Sequence, residues 1–163
     1  MLTDPNKGLS RRTWVALVGG GMTLTTGILV FGRIGRGWLP GAVPVVMYAS
    51  ESCECCRLWV GHLEARGYRV AIKYTSNLTK RKDSLGVPTA LRACHTAEVK
   101  GVVVEGHVPA DILTRFLAEE SGERGLAVPD MPGGSPGMEI VRNEPYDVFA
   151  FRSDGTMRIY AHV

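Results

Sequence analysis

The N-terminal part of the chain consists of a polar segment followed by an apolar one. Residues 1–12 are polar and carry three basic side chains, whereas residues 14–31 contain no charged residue. The apolar run is near the lower limit of length for a membrane-spanning helix, and no small-residue cleavage site ends it. Residues 1–31 are therefore predicted to be a signal peptide or a membrane anchor.

The basic residues before the apolar run indicate its orientation. An excess of Lys and Arg keeps the preceding end of a chain in the cytoplasm, so the remainder is expected on the other side of the membrane. Arg11 and Arg12 also match a twin-arginine export signal. Residues 32–43 are rich in glycine and predict a linker, which leaves residues 44–163 as the folded domain.

The start of this domain combines strand and helix patterns. Residues 45–48 form a short apolar run typical of a buried strand, and a helical pattern follows until Gly67. Residues 68–74 then alternate as a second strand. Two strands joined by a helix that begins with cysteines are typical of a thioredoxin-like βαβ unit. Such a unit places its functional site at the carboxyl end of a strand.

A β-hairpin is predicted for residues 94–107, with a two-residue turn at Lys100-Gly101. If the two residues that flank this turn pair with each other, the register places Cys94 beside His107 at the open end of the hairpin. Cross-strand Cβ atoms lie about 5 Å apart. His95 is then expected on the opposite face from Cys94, in a structural role.

Three more elements complete the domain. A helix is predicted after Pro109, residues 125–138 form a turn-rich loop, and two alternating strands flank Ser153-Asp154-Gly155. The predicted fold class is therefore α/β. We expect a thioredoxin-like central sheet flanked by helices, with a C-terminal β-hairpin.

Composition excludes some classes of function. The chain has 163 residues, 45% of them hydrophobic, and a net charge of +3, which suit one globular domain with an appendage. Its Lys and Arg residues are scattered, so nucleic acid is not expected as a partner. The four cysteines are too few and too crowded for the disulfide framework of a small secreted protein.

Three of the four cysteines lie within four residues, at Cys53, Cys55 and Cys56. The Cys53-x-x-Cys56 spacing sets two sulfurs one turn apart at a helix start, where the helix dipole lowers the pKa of thiols. A dithiol switch needs only two of these residues. Three clustered thiolates favour a metal site, because sulfur ligands select Cu(I), Zn(II) or iron–sulfur clusters.

Other side chains are candidates to complete such a site. Cys94 is a candidate for the fourth thiolate, and the alternative is a buried core cysteine. His107 is a candidate for a fifth ligand or a proton acceptor, and the alternative is a histidine with a structural role. Met131 and Met138 offer thioether sulfur, a neutral ligand suited to Cu(I). The alternative for both methionines is packing of their loop against the core.

The ordered motifs of this chain resemble those of the CopG-type family of small periplasmic metal-binding proteins. The resemblance covers roughly residues 44–160. The motifs that carry it are Cys53-x-Cys55-Cys56, Gly86-Val87-Pro88, Cys94-His95-Thr96-Ala97, Glu105-Gly106-His107-Val108-Pro109-Ala110, Gly125-Leu126-Ala127-Val128-Pro129 and Met131-Pro132 followed by Gly134-Ser135-Pro136-Gly137-Met138-Glu139.

The resemblance implies a thioredoxin-like fold, a periplasmic location, copper as the metal and a role in copper resistance. It implies that Cys53, Cys55, Cys56 and Cys94 are the copper-binding thiolates. Glu54 stands where the family usually has a small residue, which adds a negative charge beside the site.

The leading hypothesis is a periplasmic protein that holds Cu(I) through these four cysteines, as one ion or as a multi-copper thiolate cluster. Met131, Met138 and His107 are auxiliary candidates. Redox cycling between Cu(I) and Cu(II) is compatible with this ligand set, so enzymatic activity stays an open question. The expected partners are copper ions, other periplasmic copper-handling proteins, and the membrane if the N-terminal segment is retained.

Two other hypotheses compete with copper binding. A thiol–disulfide oxidoreductase would use Cys53 as the nucleophile and Cys56 as the resolving thiol. A structural zinc or iron–sulfur site is less favoured, because the sequence lacks two separated Cys-x-x-Cys pairs.

Overall fold

The computed structural model describes residues 41–138 and 144–163. The predicted signal peptide or anchor over residues 1–31 and most of the predicted linker lie outside the described residues. Within the described ranges, no helix has the length and apolar character needed to cross a membrane.

The domain is a mixed α/β structure built on one seven-stranded sheet with the strand order β2-β1-β3-β4-β5-β6-β7. The strands are β1 (Val43–Ala49), β2 (Tyr68–Tyr74), β3 (Thr96–Val99), β4 (Val102–Gly106), β5 (Gly125–Val128), β6 (Asp147–Phe151) and β7 (Met157–His162). The helices of the described chain are α1 (Glu54–Glu64), α2 (Leu78–Leu85) and α3 (Ala110–Glu119), with a 3-10 turn at Thr89–Leu91.

The β1-α1-β2 unit has the predicted form. β1 and β2 are parallel neighbours, and α1 forms the connection between them. Val45, Met47 and Ala49 alternate toward the core from β1 and are almost fully buried, as period-2 geometry requires. The carboxyl end of β1 therefore leads into the cysteine-containing start of α1.

The β3-β4 hairpin confirms the predicted register. Val99 pairs with Val102, and Thr96 pairs with Glu105. Lys100 and Gly101 in the turn both have positive φ, of 47° and 81°, which is typical of a type I′ turn. The register matters for function because it fixes which residues meet at the open end of the hairpin.

Helices cover both faces of the sheet. Trp59 of α1 and Leu113 of α3 lie in one hydrophobic cluster, whereas Leu85 of α2 lies in another. Adjacent strand residues separate in the same way, since Val104 contributes to the first cluster and Val103 to the second. The sheet is thus enclosed between α1 and α3 on one face and α2 on the other.

The second half of the sheet ends in the predicted C-terminal hairpin. β4 and β5 are parallel, with α3 between them in the chain, and β6 pairs antiparallel with both β5 and β7. The β6-β7 pairing has an irregularity between Val148 and Phe149. This hairpin extends the sheet away from the cysteines of α1.

Candidate metal centre

The first residues of α1 hold three of the four cysteines. Cys53 is the N-cap residue with an extended backbone, and its side chain makes no capping hydrogen bond. Its backbone N–H is 3.3 Å from the carbonyl oxygen of Ser50, which closes the turn between β1 and α1. The thiol groups therefore lie at the positive end of the helix dipole.

The fold brings all four cysteine sulfurs within 4.8 Å of one another. Cys55 Sγ is 3.5 Å from Cys53 Sγ and 4.0 Å from Cys94 Sγ, and Cys56 Sγ is 3.7 Å from Cys94 Sγ. Cys94 comes from the segment before β3, so two distant parts of the chain build the cluster.

Two of the four cysteines are joined in a disulfide, which the expectation of four thiolates did not include. Cys53 and Cys56 form the disulfide, whereas Cys55 and Cys94 are free thiols. Reduction of this disulfide is therefore required before four thiolates are available together.

Cys94 and His107 meet at the open end of the hairpin, as the predicted register required. Cys94 Sγ is 3.2 Å from His107 Nε2. The other ring nitrogen of His107, Nδ1, is 2.7 Å from the carbonyl oxygen of Pro136. A carbonyl only accepts hydrogen bonds, so Nδ1 carries a proton, and Nε2 presents a lone pair toward Cys94 when the ring is neutral.

Gly106 allows this approach. It ends β4 with a φ of +68°, and a Cβ atom built there would lie 2.3 Å from the carbonyl oxygen of Val128 and 2.7 Å from Ala93 Cβ. Only glycine combines this backbone conformation with such close contacts. The turn in the backbone after β4 lets His107 face the cysteine cluster.

The predicted orientation of His95 is wrong. Its Nδ1 is 3.3 Å from Cys94 Sγ, so His95 does not point away from Cys94. β3 begins only at Thr96, and the chain bends at Cys94, so the alternation of a regular strand does not extend to His95. Its position directly after Cys94 was a sequence signal that the strand argument set aside.

The surroundings of His95 keep its ring neutral. The ring is fully buried, with its centroid 4.4 Å from that of Trp59 and 5.2 Å from that of His107. Burial, followed by the charges that His107 and Lys82 can carry, places the pKa of His95 well below its ordinary value. Nε2 is buried and has no hydrogen-bond partner within the described part of the chain.

Burial also acts on the free thiol at the centre of the cluster. It is the largest cause that raises the pKa of Cys94 to about 12, and the neighbouring Cys55 adds to the effect. Cys94 is therefore a protonated thiol at neutral pH when no cation is bound. A thiophilic metal ion would displace that proton when it binds.

Of the two predicted methionine ligands, the described contacts place one at the cluster. Met131 Sδ is 4.0 Å from Cys55 Sγ, and Met131 lines an open cavity of about 630 Å³ together with Cys53, Cys55 and Cys94. Met138 is not among the residues that line this cavity, and its role as a ligand stays a prediction.

The loop that carries both methionines packs on the first turn of α1. A Cβ atom at Gly137 would lie 3.0 Å from Leu58 Cβ, 3.1 Å from the carbonyl oxygen of Cys55 and 3.1 Å from the backbone nitrogen of Trp59. This loop also supplies the Pro136 carbonyl that holds His107. It therefore packs against α1 beside the cluster and fixes the orientation of His107.

His62 has a structural role in the packing of α1 against α3. Its Nε2 accepts a hydrogen bond of 3.1 Å from the backbone N–H of Ala110, the first residue of α3. This contact satisfies one of the backbone donors that lack a partner at a helix start. His62 thus joins α1 to α3.

The donor set of the cluster is chemically soft. After reduction of the disulfide it offers four thiol sulfurs, with a thioether at Met131 and an imidazole nitrogen at His107 nearby. This combination suits Cu(I), and an adjacent imidazole also accommodates Cu(II). The exposed carboxylates of Glu51 and Glu54 line the same cavity, together with the guanidinium group of Arg57.

Comparison with known proteins agrees with this geometry. Residues 91–138 match the family model described as "Protein of unknown function, DUF411". This segment includes Cys94, His95, His107 and Met131. The comparison with curated proteins found no match.

Two solved structures are similar over the whole domain. One, "Copper resistance protein copG- Form 2", is 37% identical with a TM-score of 0.70, and the match covers 74% of this chain and 98% of that chain. The other, "Copper resistance protein copG- Form 1", is 36% identical with a TM-score of 0.70 and coverages of 75% and 98%. At this identity and coverage, the chain belongs to the CopG copper resistance protein family.

Proposed function

We propose that this protein binds Cu(I) through Cys53, Cys55, Cys56 and Cys94 and serves copper resistance in the periplasm. The observation that carries the proposal is the convergence of four cysteine sulfurs within 4.8 Å. The similar structures named as copper resistance proteins support copper over other thiophilic metals.

The number of sulfurs supports more than one mode of binding. Two or three thiolates satisfy a single Cu(I), whereas four thiolates that bridge neighbouring ions hold a multi-copper cluster. Met131 and His107 are the additional ligands that the contacts of the cluster favour. Met138 is a further candidate on the same loop.

A redox role is compatible with the same residues. Thiolates stabilise Cu(I), and the lone pair on His107 Nε2 provides a ligand that Cu(II) also accepts. Interconversion of the two oxidation states at this site, with an external electron acceptor or donor that exchanges one electron per copper ion, would make the protein a copper oxidoreductase. The protein would then be an enzyme as well as a copper-binding protein.

The proposed location follows from the N-terminal pattern and from the family. We propose export or anchoring by residues 1–31, with the domain in the periplasm and other copper-handling proteins there as partners. Disulfides form and persist in that oxidising compartment, so the Cys53–Cys56 disulfide is compatible with a periplasmic location. The β1-α1-β2 unit with cysteines at the helix start supports the proposed thioredoxin-like relationship.

Thiol–disulfide exchange is the second candidate function, and the Cys53–Cys56 disulfide favours it. Cys53 is half-buried whereas Cys56 is 1% exposed. An accessible attacking thiol and a buried resolving thiol are the arrangement that exchange requires. This candidate gives no role to Cys55 or Cys94.

One experiment separates the two functions. The reduced protein is titrated with Cu(I) in competition with a Cu(I) chelator, alongside single Cys→Ser variants at positions 53, 55, 56 and 94. Copper binding predicts tight binding by the wild type and weaker binding by all four variants. If the wild type binds no better than a simple dithiol and only Cys53 and Cys56 matter, thiol–disulfide exchange replaces copper binding.

A further inference from the structure

A charged pair is buried directly behind the cysteine cluster. Lys82 of α2 and Glu105 of β4 are 5% and 0% exposed and form an ion pair. Removing two charges from water costs several kcal/mol per ion, so a buried pair is weak evidence for a role in stability. Its position in the fold indicates a different role.

The Glu105 carboxylate makes three contacts inside the protein. It accepts hydrogen bonds from Lys82 Nζ, from the Thr96 hydroxyl and from the backbone N–H of Ala93, the last at 2.6 Å. Lys82 Nζ also donates to the Thr96 hydroxyl oxygen at 2.9 Å. The carboxylate is therefore held from α2 and β3 while it contacts the segment before β3.

Ala93 directly precedes Cys94. Its backbone N–H belongs to the irregular segment before β3, where the sheet ladder does not fix the chain. On the other side of Cys94, the carbonyl oxygen of His95 accepts a hydrogen bond of 3.0 Å from the backbone N–H of Gly106. The bend that carries Cys94 is thus fixed before and after the cysteine by neighbouring residues of β4.

The pair reaches this segment from the far side of the sheet. Glu105 projects toward α2, on the same face as Val103, whereas the cysteines of α1 lie on the face to which Val104 contributes. Neither charged group of the pair is among the residues that line the cavity beside the sulfurs. The charge of Lys82 acts on Cys94 and His95 through space, whereas the direct contact between the pair and this segment is the hydrogen bond from the backbone N–H of Ala93 to Glu105.

We propose that Glu105 is a positioning residue for Cys94, acting through the Ala93 N–H, and that Lys82 holds the Glu105 carboxylate in place. This inference rests on the proposed copper-binding function, since it assigns a supporting contact to one of the four thiols. Removal of supporting contacts of this kind lowers metal affinity by roughly 10- to 100-fold in other proteins.

Two double variants separate the effect of the hydrogen bond between Ala93 and Glu105 from the effect of the charges on Lys82 and Glu105. Lys82→Met/Glu105→Gln removes both charges and keeps an oxygen that can accept from Ala93 N–H. Lys82→Met/Glu105→Leu removes both charges and the acceptor. Replacement of a buried ion pair by apolar residues is often neutral or stabilising, whereas loss of the acceptor for Ala93 N–H and the Thr96 hydroxyl is destabilising. We therefore expect both double variants to fold, with the Leu variant unfolding at the same urea concentration as the Gln variant or at a lower one.

The full-length reduced proteins are compared by Cu(I) competition with a chelator and by hydrogen exchange of the Ala93 amide. We expect the Leu variant to bind Cu(I) at least about tenfold more weakly than the Gln variant. We also expect its Ala93 amide to exchange about fivefold faster or more. Arg115→Gln, which breaks the exposed pair between Arg115 and Glu119 on α3, is the control and should leave Cu(I) affinity within about twofold.

Equal Cu(I) affinity of the two double variants, both folded, would overturn the positioning role. If the Leu variant does not fold, Lys82→Met/Glu105→Met takes its place, because an unbranched Met side chain also lacks an oxygen to accept from Ala93 N–H. If the wild type itself binds no Cu(I), the proposed function fails. The exchange rate of the Ala93 amide, which needs no copper, then decides whether Glu105 positions this segment.

Discussion

Cys94 Sγ lies 3.2 Å from Nε2 of His107, across the open end of the β3-β4 hairpin. The hydrogen bond from His107 Nδ1–H to the Pro136 carbonyl fixes the tautomer that presents a lone pair to the sulfur. This relationship links a thiol of the cluster to an imidazole and, through it, to the loop that covers α1.

We predict that His107→Ala weakens Cu(I) binding by roughly tenfold, because the variant loses both a candidate ligand and the contact with the covering loop. The measurement is Cu(I) competition with a chelator on the reduced protein. His162→Ala provides the control, since His162 is exposed and pairs with Asp147 far along the chain. Equal affinity of the wild type and His107→Ala would exclude His107 from the site.

The disulfide predicts that copper capacity depends on the redox state of the protein. With Cys53 and Cys56 joined, only Cys55 and Cys94 remain as free thiols. We expect the reduced protein to bind more Cu(I) per chain, and more tightly, than the oxidised protein. Copper and thiols are counted after anaerobic gel filtration of both forms.

A Cys53→Ser/Cys56→Ser variant is the control for this experiment. It should behave like the oxidised wild type whether or not a reductant is present. If oxidised and reduced wild type retain the same amount of Cu(I), then Cys53 and Cys56 are not copper ligands.

The buried thiol of Cys94 predicts a loss of stability at alkaline pH. Its pKa is raised from 9.0 to about 12, chiefly by burial. Between these values the unfolded chain releases the proton while the folded protein retains it, so the free energy of unfolding falls as pH rises. Below pH 9 the contribution of the buried thiol is fully present.

Urea unfolding of the metal-free protein at pH about 8 and about 10 measures this effect. Between these two pH values, we expect the free energy of unfolding of the wild type to fall by about 1 kcal/mol more than that of Cys94→Ser. A wild type whose stability changes no more than that of the variant would mean that Cys94 ionises in the folded protein as it does in the unfolded chain.

Gly137 tests the contact between the covering loop and α1. Gly137 and Gly155 have nearly the same φ, +89° and +87°, but only Gly137 has atoms within 4 Å of a built Cβ. We expect Gly137→Ala to cost about 1–3 kcal/mol more than Gly155→Ala, because overpacking adds to the backbone strain that both share. Urea unfolding measures the free energy of unfolding of both variants. Equal losses would show that the loop can move away from α1 without destabilising the protein.

Much of the fold follows from local patterns in the sequence. The β1-α1-β2 unit was predictable because a short apolar run indicates a strand and a 3.6-residue pattern indicates a helix. The β3-β4 register followed from the predicted turn at Lys100-Gly101. The meeting of Cys94 with His107 was therefore predictable from the turn. The order of all seven strands was not, because pairing across the sheet depends on contacts between distant segments.

The meeting of Cys94 and His107 was predictable because both residues directly extend a regular hairpin, whereas contacts set by irregular backbone or by tertiary packing were not predictable. His95 was misplaced because the chain bends at Cys94 before the strand begins. Lys82 and Glu105 went unnoticed because a Lys in a basic helix and a Glu in a strand look solvated until tertiary packing buries them. The Cys53–Cys56 disulfide depends on redox state, so the sequence left thiol and disulfide as alternatives.

X-ray absorption at the copper edge, on reduced protein loaded with Cu(I), tests whether the four cysteines hold the metal. We predict an edge typical of Cu(I) and a first coordination shell dominated by sulfur, which loses sulfur in Cys94→Ser. A first shell of nitrogen and oxygen, or one unchanged in Cys94→Ser, would contradict a copper site built on the four cysteines.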